Sequence, residues 1–336
     1  MKNIRNIQLQ PHFRNYNDSI ILSEFFKTRV EASPEDYFKV LQRLRPDRLS
    51  IEELIEIVHW IERTKKAQPF HGAHINVFGT GGDWTINISS MAAIIASHLT
   101  RVIKVGSPAV TSQVGSSDFF SELHSFLSSI APTSQKQLMN FSPGSKFISL
   151  ASLSFPYNSS LREARKRLKI EGIPDIYKVV FPFANYTNPR IQVNGVATIV
   201  YWDIFERLAT KLKRAICIVH SEHEIDEAMP GHNRLLLISD TRRIETNWDF
   251  MLSDSNKVQT VFSEKDSPKH TVKLFEQIIL GKAPTIITET IINNAALLVA
   301  SHQLVDSVSL DFHHSLSQAK DDIKTFILQF REQYDI

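Results

Sequence analysis

A glycine-rich loop and the polar residues after it form the stretch best suited to binding a phosphorylated ligand. An apolar run ends in Gly-Thr-Gly-Gly-Asp at residues 79–83, and Asn87 and Ser89 follow within a few positions. Glycine lets backbone N–H groups approach a ligand closely, and a helix that begins near Asn87 favours anions at its N-terminus. These residues predict a phosphate site, although the glycines alone are also compatible with a tight surface turn.

Two adjacent acids, Asp226 and Glu227, follow the apolar run 216–219 after a short polar segment. Carboxylates on a loop suit magnesium, which keeps several waters and bridges substrate phosphates. The alternative is a solvated acidic loop. His220 and His223 also allow a zinc interpretation, but no second ligand cluster accompanies them, so a surface loop is the better interpretation of the histidines.

The elements that must position these residues alternate between strands and helices. Such alternation predicts an α/β fold with a mostly parallel sheet flanked by helices, and in open sheets of this kind ligands bind beyond the carboxyl ends of the strands. The expected strands are 75–78, 102–105, 147–150, 216–219 and 235–238, and the expected helices are 89–99, 118–130, 267–280, 285–302 and 315–333.

A small helical unit precedes the α/β pattern. Ser33 and Ser50 each stand three residues before an acid and ahead of apolar residues at helical spacing, which predicts two capped helices. Residues 65–69 have the composition of a linker. Farther along, residues 159 to about 168 predict a basic helix, and residues 174–189 predict a connection punctuated by prolines.

Composition places few limits on function. The chain has 336 residues, of which 42% are hydrophobic and 22% charged, and this balance is typical of a folded protein with a substantial core. A net charge of +2 gives no general reason to expect nucleic acid or a membrane surface as a partner. Cys217, the single cysteine, lies in an apolar run and is expected in the core. No stretch has the composition of a signal peptide or a membrane span, so a cytoplasmic location is expected.

Together these motifs resemble the anthranilate phosphoribosyltransferase family, which belongs with the class III phosphoribosyltransferases and pyrimidine nucleoside phosphorylases. The family carries the Gly-Thr-Gly-Gly-Asp loop, an Asn-Ile-Ser helix start and a Val-His-Gly-x-x-Gly-Leu-Asp-Glu segment, whose spacing matches Val219 to Glu227 without a gap. The resemblance extends over roughly residues 33–335. Further matches stand at Lys104, 115–118, 164–168, 187–189, 192–196 and 293–297.

The resemblance implies transfer of a phosphoribosyl group from phosphoribosyl pyrophosphate (PRPP) to anthranilate or a related aromatic acid, as in tryptophan biosynthesis, with Mg²⁺ as cofactor. No covalent intermediate is needed, because positioning and electrostatic stabilisation of the leaving group accelerate the reaction. The implied PRPP contacts are Gly79, Thr80, Gly82, Asp83, Asn87, Ser89, Lys104 and Ser116, and the implied magnesium ligands are Asp226, Glu227 and Ser89.

The implied acceptor site centres on Arg165, which matches the family's arginine for the carboxylate of anthranilate. A guanidinium can donate two parallel hydrogen bonds to a carboxylate, although a solvated basic helix face would also account for Arg165. Val105, Ser107 and Phe155 are the other implied acceptor-binding residues.

The resemblance also implies two domains and a homodimer. A small helical domain at residues 1–68 would be completed by about 158–188, and residues 70–157 and 189–336 would form the α/β phosphoribosyl-binding domain. The cleft between the two domains would hold the site.

The chain departs from the family mainly on the acceptor side. Lys-His-Gly-Asn-Arg of the family is Lys-Val-Gly-Ser-Pro at 104–108, and His-His-Pro-Ala-Met is Ser-Phe-Pro-Tyr-Asn at 154–158. The loop after Asp83 is about two residues shorter and contains Trp84. A drier acceptor pocket of different shape is expected, which leaves the identity of the acceptor open.

Two other functions are compatible with the same motifs. One is a non-catalytic paralogue that binds nucleic acid or another phosphorylated ligand through basic residues near 162–169 and 211–214, although a dedicated nucleic-acid binder usually carries a larger basic excess. The other is a pyrimidine nucleoside phosphorylase, but the Asp226 and Glu227 pair fits the transferase branch better.

Overall fold

The computed structural model describes residues 32–64, 70, 72–79, 86–106, 115–130, 146–151, 159–184, 187–252, 258–262, 267–307 and 311–333. Within these ranges seven strands form one sheet in the order β3-β2-β1-β4-β5-β6-β7. The first five strands are parallel, and β6 and β7 are antiparallel to their neighbours. The strands are β1 Ile75–Gly79, β2 Val102–Gly106, β3 Phe147–Ala151, β4 Ile191–Gly195, β5 Ile216–Ser221, β6 Gly231–Ile238 and β7 Arg243–Phe250.

Eleven helices accompany the sheet within the described ranges. In chain order they are α1 Pro34–Arg43, α2 Ile51–Thr64, α3 Ile88–Ala96, α4 Ser116–Ile130, α5 Ser159–Ile170, α6 Ile176–Phe183, α7 Ile199–Leu212, α8 Val258–Phe262, α9 Pro268–Ile279, α10 Thr285–Asp306 and α11 Phe312–Gln333.

Side chains alternate between the two faces of the sheet, so each face has its own core. On one face, Cys217 and Val219 of β5 pack with residues of α3, α4 and α8 to α11. On the other face, Ile216 and Ile218 of the same strand pack with α1, α2 and α5 to α7. The sheet is therefore covered by helices on both sides, as its buried, near-continuous apolar strands require.

Helices α1 and α2 begin where the sequence predicts. Ser33 and Asp36 form a capping box at the start of α1, and Ser50 and Glu53 make the same reciprocal bonds ahead of α2. Each box satisfies two backbone donors that the first turn of a helix leaves without partners.

The structure confirms the predicted fold class and corrects the interpretation of several segments. Residues 174–189 are not only a connection, because α6 occupies their centre with Pro182 in its last turn. Four elements have no counterpart among the predicted ones: the strands β4 and β7 and the helices α7 and α8. The buried position predicted for Cys217 is confirmed, and burial raises the pKa of its thiol to about 12.

Within the described residues, no helix is both long and apolar enough to cross a membrane. The division into two domains stays a prediction.

Candidate active site

The carboxyl ends of β1, β2 and β4 meet at one edge of the sheet, and each strand ends in glycine. Strand pairing places Gly79 beside Gly195. A Cβ at Gly195 would overlap the backbone carbonyl of Asp226 and lie 2.9 Å from its Cα. A Cβ at Gly106 would lie 2.5 Å from the Cβ of Ser116, the first residue of α4. These two glycines let the loop that carries Asp226 and the N-terminus of α4 approach the strand ends.

A buried lysine lies close to this edge. Lys104 of β2 is 2% exposed, and its Nζ donates a hydrogen bond to Ser89 Oγ in the first turn of α3 at 3.2 Å. Burial lowers the pKa of the Lys104 ammonium, while the charges of Glu227 and Asp226 oppose that shift. Four of the side chains predicted to bind PRPP or magnesium therefore interact as one cluster: Lys104, Ser89, Asp226 and Glu227.

The two carboxyl groups of this cluster are close to one another. Asp226 is buried, Glu227 is half-buried, and the two side chains are hydrogen-bonded. Burial first, and then the charge and hydrogen bond of Asp226, raise the pKa of Glu227 well above its ordinary value. Two carboxylates this close do not both ionise readily unless a cation joins them. The pair therefore has the electrostatics of a cation site.

A side chain from α10 fixes the loop that carries the acid pair. Asn294 Oδ1 accepts the N–H of Ala228 at 3.0 Å, and its Nδ2 donates to the carbonyl of the same residue at 2.7 Å. The amide thus pairs with the backbone directly after Glu227. The sequence match at 293–297 points to this residue but not to its contact.

The donor set at the acid pair fits magnesium. Among the described residues, no group of three or more His, Cys, Asp and Glu side chains is placed to hold a metal ion. Two carboxylates and the Ser89 hydroxyl are hard oxygen donors, and magnesium needs few protein ligands because it keeps waters and takes phosphate oxygens from the substrate. His220 and His223 instead hydrogen-bond to the backbone carbonyls of Val196 and Pro230.

Arg165 of α5 is 6% exposed and forms an internal ion pair. Its Nε donates to Asp175 Oδ2 at 2.7 Å, and its guanidinium carbon lies 4.7 Å from the ring centroid of Tyr177. Asp175 also caps α6 by accepting the N–H of Tyr177 at 3.0 Å. The ion pair orients the guanidinium. A carboxylate ligand of Arg165 would therefore share that guanidinium with Asp175.

Lys178 of α6 is a charged residue near the site that the sequence interpretation missed. It is half-buried, and burial lowers the pKa of its ammonium, while the charges of Asp175 and Asp226 oppose that shift. Lys178 therefore interacts with one carboxylate of each group: Asp175 of the Arg165 ion pair and Asp226 of the acid pair. A helix that begins after Asp175 would place Lys178 in its first turn, and this is the sequence signal that could have identified Lys178. The prolines of residues 174–189 instead favour a connection over a helix.

The remaining predicted residues divide into described and undescribed groups. Gly79 ends β1 and is exposed, Asn87 precedes α3, Ser116 begins α4, and Val105 is half-buried in β2. The predicted residues Thr80, Gly82, Asp83, Ser107 and Phe155 lie outside the described residues, as do Trp84 and residues 152–158.

The fold and this site define a class: a family model described as "Glycosyl transferase family, a/b domain" matches residues 71–325. A protein named anthranilate phosphoribosyltransferase from Staphylococcus haemolyticus is 28% identical over 84% of each chain. Another from Saccharolobus islandicus is 30% identical over 77% of this chain and 73% of its own. The chain therefore belongs to the anthranilate phosphoribosyltransferase family, as the sequence resemblance predicted.

Solved structures show the same fold. The Saccharomyces cerevisiae anthranilate phosphoribosyltransferase in complex with PRPP and Mg has a TM-score of 0.65 at 19% identity, covering 92% of this chain and 88% of the other. The anthranilate phosphoribosyltransferase of Thermus thermophilus has a TM-score of 0.60 at 15% identity, covering 92% and 97%.

Proposed function

We propose that this protein transfers the 5-phosphoribosyl group of PRPP to anthranilate or a related aromatic acid and releases pyrophosphate. The observation that carries the proposal is the cluster of Lys104, Ser89, Asp226 and Glu227 at the carboxyl edge of the sheet. It combines a buried cation with a carboxyl pair that favours a divalent ion, and the donor's pyrophosphate needs both.

In the proposed reaction the amine of the acceptor forms a bond to C1 of the ribose while the bond from C1 to the pyrophosphate oxygen breaks. Lys104 and the N-terminus of α3 would stabilise the negative charge on the departing oxygens. Asp226, Glu227 and Ser89 would hold magnesium, which supplies positive charge to the phosphate oxygens when bound. Once the C1–N bond has formed, the proton of the amine is released to solvent. The proposed reaction therefore needs no positioned base.

Arg165 is the proposed contact for the acceptor carboxylate, and Lys178 is a second cation on the same side. Support for Arg165 comes from its orientation by Asp175, since a held guanidinium loses less rotamer freedom on binding. Val105, Ser107 and Phe155 are proposed to line this pocket.

Calorimetric titration of PRPP with and without Mg²⁺ tests the proposal. Wild-type protein should bind PRPP at least about tenfold more tightly with Mg²⁺, and Asp226→Asn/Glu227→Gln should lose that enhancement. Glu224→Gln is the matched control, because Glu224 is an exposed acid in the same loop. Equal Mg²⁺ enhancement in the double variant would overturn the assignment of the acid pair.

A non-catalytic nucleic-acid binder has weaker support. The basic helix α5 is partly neutralised, since Arg167 pairs with Glu35 at 2.6 Å and with Glu171 at 2.8 Å, and Arg165 pairs with Asp175. Tight DNA or RNA binding that falls steeply with salt would favour this alternative. A homodimer and a cytoplasmic location are further proposals that rest on the family resemblance.

A further inference from the structure

The backbone directly after the acid pair is held from two sides by asparagine side chains. Ala228 and Met229 follow Glu227, and both are 0% exposed. Their backbone N–H and C=O groups are therefore shielded from water and need partners within the protein. The side chains that supply these partners are Asn294 of α10 and Asn233 of β6.

Each asparagine bonds both polar backbone groups of one loop residue. Asn294 accepts the N–H of Ala228 at 3.0 Å and donates to its carbonyl at 2.7 Å. In the same way, Asn233 Oδ1 accepts the N–H of Met229 at 2.8 Å, and its Nδ2 donates to the Met229 carbonyl at 2.8 Å. A residue bonded at two points is fixed in orientation as well as in position.

The two asparagines are themselves held by separate parts of the fold. Asn294 Nδ2 also donates to the carbonyl of Thr290, one turn earlier in α10, at 2.8 Å. Asn233 Nδ2 also donates to the carbonyl of Trp248 in β7 at 3.0 Å. Asn294 is 7% exposed and Asn233 is 2% exposed. The loop is therefore tied to helix α10 on one side and to the antiparallel strands on the other.

The position of this loop matters for magnesium because the acid pair immediately precedes Ala228. Gly195 admits the Asp226 backbone at the strand end, and the two amides hold the two residues after the pair. Magnesium demands near-ideal octahedral geometry, so a small displacement of the carboxylates weakens its binding. Groups that orient metal ligands typically contribute about 10–100-fold to metal affinity.

We propose that Asn233 and Asn294 are positioning residues that set the affinity of the acid pair for Mg²⁺ by fixing the backbone that follows it. The inference rests on the proposed function, in which the acid pair holds the metal. Loss of either amide would let the loop shift and weaken Mg²⁺ binding, while PRPP contacts made without the metal would be retained. A role in folding alone would lower stability without changing the Mg²⁺ dependence.

The test is calorimetric titration of PRPP at a series of Mg²⁺ concentrations, with thermal melting of the same preparations. In Asn294→Ala and Asn233→Ala, the Mg²⁺ concentration that gives half of the enhancement of PRPP binding should rise at least about tenfold. PRPP binding without Mg²⁺ should be unchanged. All proteins are titrated in trimethylamine N-oxide, which favours the folded state of the truncated variants.

Asn293→Ala is the matched control. Asn293 is 2% exposed in the same helix, and its Nδ2 donates to the carbonyl of Glu289 at 2.8 Å rather than to the loop. This variant also loses a buried amide, so it should show a loss of stability but keep the wild-type Mg²⁺ midpoint.

A raised midpoint in the two loop variants, with wild-type PRPP affinity regained at excess Mg²⁺, supports the proposal. A midpoint equal to that of Asn293→Ala in either variant would overturn the role of that asparagine and leave the proposed function intact. If Mg²⁺ does not enhance PRPP binding by wild-type protein, the proposed function fails, and this inference fails with it.

Discussion

Gly195→Ala is the substitution that most directly tests how the strand end holds the acid pair. The new Cβ would overlap the Asp226 carbonyl and lie 2.9 Å from Asp226 Cα. The nearest atom is the Asp226 carbonyl oxygen, 1.5 Å from the new Cβ, and a carbon and an oxygen in contact are about 3.3 Å apart or more, so the loop must withdraw by roughly 2 Å. A displacement of about 1 Å at a reacting centre already lowers the rate about 100-fold, so at least that loss is expected. The overpacking itself should reduce the free energy of unfolding by about 1–3 kcal/mol.

The assay is pyrophosphate release with saturating aromatic acid, measured with thermal melting of the same preparations. Val193→Ala is the matched control, since Val193 is a buried residue of the same strand and its truncation adds no atom beside Asp226. It should destabilise the protein by a similar amount through a small cavity, yet keep its pyrophosphate release within about threefold of wild type. If Gly195→Ala is destabilised but equally active, Gly195 does not position the acid pair.

Three further predictions concern stability and reactivity. Arg165→Met should destabilise the fold by about 3–5 kcal/mol in urea melts, because it leaves Asp175 buried without its ion pair; the double variant with Asp175→Asn should recover most of that loss, and no recovery would contradict the coupling. Cys217 should resist thiol reagents in the native state and react only on unfolding, since it is buried with a pKa raised to about 12; rapid native labelling would contradict its burial. Burial lowers the pKa of His98 to about 4, below its unfolded value of about 6.5, so its contribution to stability is present above pH 6.5 and is lost as the pH falls toward 4. Chemical melts of wild type and His98→Phe should diverge over that range by up to about 3 kcal/mol, and parallel pH profiles would contradict the shift.

The proposed roles that depend on local chemistry are those that the sequence indicates. Gly79 at a strand end, Ser89 at a helix start and the Asp226 and Glu227 pair suit phosphate or magnesium by residue type, and the family resemblance favours that interpretation over a surface turn or a solvated acidic loop. The alternation of apolar runs likewise predicts the parallel sheet, because buried parallel strands are apolar on both faces.

Residues whose role depends on tertiary packing were not predictable in this way. Pro182 indicates a break, yet it falls in the last turn of α6, where little of the helix remains to be disrupted. Lys178 was missed for the same reason. Gly195 and Asn294 belong to matched motifs, but only the structure shows that one admits the Asp226 backbone and the other pairs with Ala228.

The edge strand β7 shows a further limit. Its residues alternate between exposed and partly buried positions, and only Trp248 is buried. Such a strand is stabilised by pairing with β6 rather than by burial of an apolar sequence. Its sequence therefore shows only a weak strand pattern.

The most direct test of the central claim is to incubate wild-type protein with PRPP, Mg²⁺ and anthranilate and to measure pyrophosphate together with the mass of the organic product. A panel of related aromatic acids is run in parallel, and Asp226→Asn/Glu227→Gln serves as the inactive reference. We predict stoichiometric pyrophosphate and an acceptor that has gained one phosphoribosyl group, both dependent on Mg²⁺. Absence of pyrophosphate and of any phosphoribosylated acid across the whole panel would contradict the proposed transferase activity.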